Sequence, residues 1–584
     1  MKTRLWLAAL LAAGLLSGCN DSNDSSVSAG GSPDTPDTPT DPATFSFVEG
    51  TIAQAHAAMR DGTLTCEALV QGYIDRIQAY DSQGPELRSV VRVNPLALQR
   101  ARELDIAYQQ SGPSGPLHCV PVLLKDNFDT ADITTSAGGI ALAYNQTPDD
   151  AFSVAGIVAA GGLVLGKANL DEFAFGFQGS SSIRGQVKNA YDPTKGPGGS
   201  SSGTGAAIAA SFAMAGTGSD TGGSIRVPSS LEGLVGIRPS LRLVSQDGIV
   251  PLAASQDTGG PMCRTVEDCA LMLDAMTGFD ASQTSNQRQA FAYDAPLLDS
   301  ADAYQTLTNR PATYTDFLDA EGLDGAHIAA LMPLFGDGSG ENAQVQSVLM
   351  AAIDRMRDAG ATVDILTAED LAARDVALSD LTDFDSNSRY EFRQDLTAYL
   401  MSWPSSADGH LRSFDAVADS MLYEQRNQGT FDFYGAIGRA LENTDDDSEE
   451  AVAYRAAYQR NLEQRPGIVR GGLLRILDNQ DDQGAALGAP YDALLYPSVL
   501  SLAPQLGSSP STGSNNRLSP FSGFPALSMP AGMADTDPAL PVGMELLGRE
   551  FDEPTLIRLA YGYQQVAQPR AAPTYTPELA ATED

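Results

Sequence analysis

The apolar and polar positions become regular only after about residue 45. Cys66, Leu69, Val70, Tyr73, Ile74 and Ile77 recur at helical spacing behind Thr65, which is placed to cap the first turn, so a helix is predicted over 66–77. An unbroken apolar run at Val120–Leu124 reads as a buried strand, Phe152–Ala160 as a helix of small residues and Leu163–Leu165 as a second strand. That order points to a layered α/β fold. A glycine-rich loop, Gly196–Gly205, runs into a second small-residue helix over Ala206–Met214, and Thr265–Met276 reads as a capped helix. From about 285 to 480 the pattern is more helical and irregular. Strand signals return at Ala493–Tyr496, Ala526–Met529 and Gly543–Leu547, followed by a helix over Pro554–Val566. Strands at both ends predict one sheet closed by distant segments, and hence one large domain.

The segment before residue 45 has a different character. Lys2 and Arg4 precede an apolar run, Leu5–Leu16, long enough for a signal-peptide core and too short to span a bilayer. Its end, Leu16-Ser-Gly-Cys19, resembles the lipobox of bacterial lipoproteins, which implies that Cys19 is lipidated and becomes the first residue of the mature chain. The alternative is an ordinary signal with a coincidental cysteine. Residues 20–44 hold almost no core-forming side chain and read as a disordered tether. The expected organisation is a leader over 1–18, a tether over 19–44 and a folded domain over 45–584 that includes the variable helical region. Localisation in the bacterial cell envelope, facing the periplasm, follows.

Charge narrows the partners. The 584 residues include 74 acidic and 36 basic side chains, for a net charge of -38, which repels phosphate backbones and argues against nucleic acid. No His/Cys cluster has metal-ligand spacing, so neither a metal nor another cofactor is expected.

Three segments carry the candidate chemistry. In Gly218-Ser-Asp-Thr-Gly-Gly-Ser-Ile-Arg226, low side-chain bulk lets backbone N–H groups converge as an anion nest beside Ser224. None of the four histidines, His56, His118, His327 and His410, lies in a triad signature. Val120-Pro-Val-Leu-Leu-Lys-Asp-Asn127 instead ends an apolar strand in Lys125, where burial disfavours the ammonium and leaves an amine able to act as a base. Gly196–Ala207 supplies adjacent hydroxyls at Ser200, Ser201 and Ser202. A lysine can replace the histidine if one of these hydroxyls bridges it to Ser224.

Together these segments resemble the amidase signature family of serine hydrolases: Gly198-Gly-Ser-Ser-Ser-Gly-Thr-Gly-Ala-Ala207, then Asp220-Thr-Gly-Gly-Ser-Ile-Arg226, with Lys125 upstream. Pro520–Gly532 and Leu540–Glu553 look like C-terminal elements of the same family. The resemblance implies a single α/β/α domain around a mixed sheet, with Lys125 as base, Ser200 as a bridging serine in a cis peptide bond and Ser224 as nucleophile. It also implies an oxyanion hole from the N–H groups of Thr221, Gly222, Gly223 and Ser224. The expected substrate is a small-molecule or peptide carboxamide, and the pattern is nearer to peptide amidases and broad-range amidases than to the tRNA-linked branch. Asp220 and Arg226 are expected to pair and hold the nest, and Ser201 to support the loop.

Two other readings compete. Gly199-Ser-Ser-Ser-Gly203 fits the nucleophile elbow of an α/β-hydrolase-type esterase, with Ser201 as nucleophile, but Asp192-Pro-Thr-Lys-Gly-Pro-Gly-Gly199 is a poor strand to precede it. A non-catalytic solute-binding lipoprotein would not need Lys125, Ser200 and Ser224 together. Among the cysteines, Cys66 and Cys269 lie on apolar helix faces, where a free thiol behaves as a small hydrophobe, which leaves Cys119 and Cys263 as the expected disulfide in an oxidising compartment. A cysteine at 119 departs from the family, where a small residue is usual.

Overall fold

The strands, in chain order, are β1 (Val90–Val93), β2 (Pro121–Lys125), β3 (Leu163–Ala168), β4 (Ser180–Ser181), β5 (Gly185–Gln186), β6 (Ala215–Asp220), β7 (Val235–Arg238), β8 (Thr258–Cys263), β9 (His327–Leu331), β10 (Thr362–Leu366), β11 (Ala493–Pro497), β12 (Ala526–Met533) and β13 (Pro541–Leu547). These come from a computed structural model that describes residues 45–282, 298–402 and 411–580. The leader over 1–18, Cys19 and the tether over 19–44 lie outside the described residues, as does His410. Apart from the β4–β5 hairpin, the strands form one 11-stranded sheet in the order β1-β3-β2-β6-β8-β7-β12-β13-β11-β9-β10. It is mixed: β3, β2 and β6 run parallel, as do β11, β9 and β10, and the strands between them are antiparallel. Helices pack on this sheet, giving the large α/β domain that the pattern predicts.

Local signals place the helices well. Thr65 accepts the N–H of Ala68 and starts the helix Cys66–Arg76, and Thr265 accepts that of Asp268 at the head of Val266–Met276. The helical region also supplies β9 and β10, so it extends the sheet as well as covering it.

Strand β6 has the least strand-like sequence, Ala-Gly-Thr-Gly-Ser-Asp, yet it lies inside the sheet and is buried throughout. Its glycines are required by crowding: a Cβ at Gly216 would lie 2.5 Å from Thr204 Cγ2, and one at Gly218 would lie 2.8 Å from both Ile225 Cγ1 and Met262 Sδ. Small residues here let a helix and two neighbouring strands close around the strand that leads to Ser224.

The disulfide differs from the expected one. Cys66 pairs with Cys119, Cα atoms 5.7 Å apart, while Cys263 and Cys269 are buried free thiols. The reason is sheet order. Cys119 leads into β2 and Cys263 ends β8, with β6 between them. Two strand spacings are roughly 9.5 Å, beyond the reach of a disulfide.

Candidate active site

Strands β2 and β6 are parallel neighbours, and their carboxyl ends bring Lys125 and Asp220 to one edge, where open α/β sheets form their ligand crevices. Lys125 is completely buried. Its Nζ lies 2.8 Å from Ser200 Oγ, 2.9 Å from Ser219 Oγ and 3.3 Å from Ser219 O. Burial pulls its pKa down to about 7, although Asp171, Asp220 and Asp257 favour the ammonium. Burial thus favours the neutral amine far more than it would on an exposed lysine.

Ser200 follows a cis peptide bond from Gly199 and stands just before the helix Ser202–Ala209, all of whose residues are buried. Gly199 has no room for a side chain, because a Cβ would sit 1.9 Å from Asp171 Oδ2. The Ser200 carbonyl accepts the N–H of Asp171 at 3.0 Å, and the Ser201 N–H donates to Ser224 O at 3.1 Å, which joins the two serine-bearing loops. The Ser201 hydroxyl donates to Ser219 O at 3.4 Å, and the segment before it has one turn, an isolated bridge at Lys195 and otherwise irregular backbone rather than the strand a nucleophile elbow needs.

The loop after β6 turns around Asp220. Its carboxylate accepts the N–H of Gly223 at 2.7 Å and of Ile225 at 3.1 Å, and it pairs with Arg226 Nε at 3.0 Å and Arg238 Nε at 3.3 Å. Burial opposes ionisation of Asp220, but the two guanidiniums outweigh it and hold the pKa at about 2. Arg226 also reaches Glu545 Oε1 at 2.7 Å, so the loop is tied to β13. Of the four N–H groups expected in the oxyanion hole, that of Gly223 donates to Asp220, while those of Thr221, Gly222 and Ser224 have no protein acceptor among the described residues.

A cavity of about 730 Å³ opens beside Thr221, Gly222 and Ser224, with Phe175, Phe384 and Tyr434 among its walls. Phe175 packs against an apolar cluster that contains Phe173, Phe392 and Phe431, so the helical region forms one side of the site. Several members have no individual signature in the sequence. Ser219 and Asn127, whose Nδ2 donates to Ser219 Oγ at 3.0 Å, lie within the recognised segments and complete the surroundings of Lys125. Asp171 lies outside them; burial raises its pKa to about 7 despite N–H donors from Gly179 and Gln178. Asp257, which accepts the Thr221 hydroxyl, is also raised by burial. Among the described residues no histidine takes part: His118 lies against Ser114, and His327 against Asp364. Nor, among the described residues, does any group of His, Cys, Asp and Glu form a site that could hold a metal ion.

Residues 68–557 match the model of the Amidase family. A glutamyl-tRNA(Gln) amidotransferase subunit of Ectopseudomonas mendocina is 32% identical over 546 residues, which span 90% of this chain and 99% of that protein. The native peptide amidase of Stenotrophomonas maltophilia superimposes with a TM-score of 0.71 at 32% identity, covering 91% of this chain and 99% of that one. An amidase family protein from Bacillus anthracis does so with a TM-score of 0.69 at 27% identity, covering 90% and 93%. With a buried lysine, a cis-linked serine and a second serine at the edge of the cavity, and with these relatives along nearly its whole length, the chain belongs to the amidase family, enzymes that act on carboxamide C–N bonds.

Proposed function

We propose that the protein is an exported, lipid-anchored amidase that hydrolyses linear carboxamides, C-terminal peptide amides included, through a covalent acyl-enzyme on Ser224. The observation that carries the reading is the buried Lys125 amine 2.8 Å from Ser200 Oγ, with its pKa brought to about 7. A neutral amine takes the Ser200 proton while Ser200 takes that of Ser224. Ser224 Oγ then bonds to the amide carbon, and the carbonyl electrons move to an oxyanion held by the N–H groups of Thr221, Gly222 and Ser224. Collapse breaks the C–N bond as the proton returns through Ser200 to the departing nitrogen. Water repeats the sequence on the ester and releases the acid.

Substrate class rests on the cavity and on likeness to the Stenotrophomonas maltophilia peptide amidase. About 730 Å³ of space with aromatic walls suits an apolar acyl group or the end of a peptide. Export is supported by the Cys66–Cys119 disulfide, which persists in oxidising compartments, and by the lipobox-like end of the leader. Nucleic acid is not a partner in this reading, given a net charge of -38.

A fluorophosphonate probe tests the chemistry. Ser224→Ala should abolish covalent labelling while Ser201→Ala keeps substantial activity; labelling that persists in Ser224→Ala overturns the assignment. A hydrolysis screen over peptide, fatty and aryl amides then ranks the substrates.

A further inference from the structure

We propose that Gln256 is a positioning residue that aims the Gly222 N–H into the oxyanion site, an inference that rests on Ser224 being the nucleophile. Gln256 is fully buried, and both ends of its side-chain amide are in use. Nε2 donates to Thr221 O at 3.0 Å and to Ser386 Oγ at 3.2 Å, while Oε1 accepts the Asn387 N–H at 2.8 Å and Arg465 Nη1 at 2.6 Å. Both partners of Oε1 are obligate donors, so the amide has one orientation.

Its effect on Gly222 follows from peptide geometry. The Thr221–Gly222 bond is not among the cis bonds, so its C=O and N–H point in opposite directions within one plane. Holding Thr221 O on the Gln256 side therefore turns the Gly222 N–H to the other side. Packing does not do this, because a Cβ built at Gly222 would meet nothing within 4 Å. The following peptide is held separately: Gly222 O accepts Asn516 Nδ2, and the Gly223 N–H goes to Asp220. Gln256 is in turn gripped by Asn387 and Arg465, both from the helical region, which gives that region a direct bearing on the oxyanion donors.

Gln256→Glu separates the two halves of the amide. The carboxylate still accepts from Asn387 and Arg465, so the anchorage survives, but it cannot donate to Thr221 O. The expected result is a fall in kcat for an amide of about 10²-fold with KM nearly unchanged, since an oxyanion donor acts on the transition state. A peptidyl aldehyde, which forms a tetrahedral adduct, should lose affinity by a similar factor. Binding of the amide in a Ser224→Ala background, where no adduct forms, should be the same with and without Gln256→Glu. Gln256→Met, close in volume and lacking both functions, provides a second variant if the first does not fold. Unchanged kcat and aldehyde affinity, or amide binding that falls in step with kcat, would overturn the inference. If Ser224→Ala still labels, the nucleophile assignment fails first. If Ser224→Ala does not label and Gln256→Glu keeps full kcat, only the role of Gln256 fails.

Discussion

The carboxylate of Asp220 receives the backbone N–H of Gly223 at 2.7 Å, which withdraws that donor from the proposed oxyanion site. That contact makes Gly223 part of the scaffold, and it places a buried anion immediately before the loop's open donors. Arg226 and Arg238 are what allow the anion to remain there.

Asp220→Asn keeps an oxygen for Gly223 but leaves two buried guanidiniums under-neutralised. We expect a loss of about 3–5 kcal/mol in denaturant unfolding, together with loss of probe labelling. Because the folded pKa of Asp220, about 2, lies below the ordinary 3.8, its stabilising contribution is present above pH 4 and declines as pH falls towards 2. The stability gap between wild type and variant should narrow over that interval. A gap independent of pH there would show that the charge of Asp220 is not what stabilises the fold.

Activity should rise with pH through a midpoint near 7, because in the proposed relay only the amine form of Lys125 accepts the Ser200 proton. Asp171 favours the ammonium, so Asp171→Asn should move that midpoint to lower pH, while an Asn oxygen can still accept from Gln178 and Gly179. Profiles of kcat/KM against pH for the two proteins check the sign; a shift upwards would mean that Asp171 does not act on Lys125 through its charge.

In the proposed mechanism Lys125 acts twice, as base towards Ser224 and as acid towards the leaving nitrogen. An activated ester expels its oxygen with little help, whereas an amide nitrogen needs the proton. Lys125→Ala should therefore reduce amide hydrolysis more than hydrolysis of an ester with the same acyl group, with a general acid–base contribution of about 10²- to 10⁴-fold at stake. Equal losses would remove Lys125 from the second step.

Oxidised protein digested without reduction should release a peptide joining Cys66 to Cys119, with Cys263 and Cys269 alkylated once unfolded. Since the bond closes a separation of 53 residues, Cys119→Ser should cost about 2–4 kcal/mol in denaturant titration, chiefly through a less restricted unfolded chain.

Replacing Cys19 with Ser should shift the protein from the membrane fraction to the soluble one if lipid is its anchor. Unchanged fractionation would assign the attachment elsewhere.

The side chains proposed to react were legible as candidates because the proposed chemistry depends on segments continuous in sequence: a strand ending in lysine, a glycine-bounded run of serines and a glycine pair before Ser224. Strand β6 was not legible as a strand. Its residues are chosen for lack of volume, and strand propensity reports how a side chain fills a pleated surface, which Gly216 and Gly218 do not do. Cys66 misled for a related reason: on an apolar helix face a bonded and a free cysteine occupy the same kind of position, and only sheet order reveals which partner is near. Gln256 and Asp171 act through groups far away in sequence, so local pattern carried no trace of them.

The tie between Arg226 and Glu545 spans 319 residues, and it affects when the protein becomes an enzyme during its own synthesis. A nascent chain possesses Lys125, Ser200 and Ser224 long before β13 exists to hold Arg226. During most of translation these three side chains are thus made before the loop's tie to β13 can form, and the proposed activity would wait for the last strands. Under the proposed export, in which the chain crosses a membrane amino end first, this ordering would keep the activity silent on the side where the chain is made.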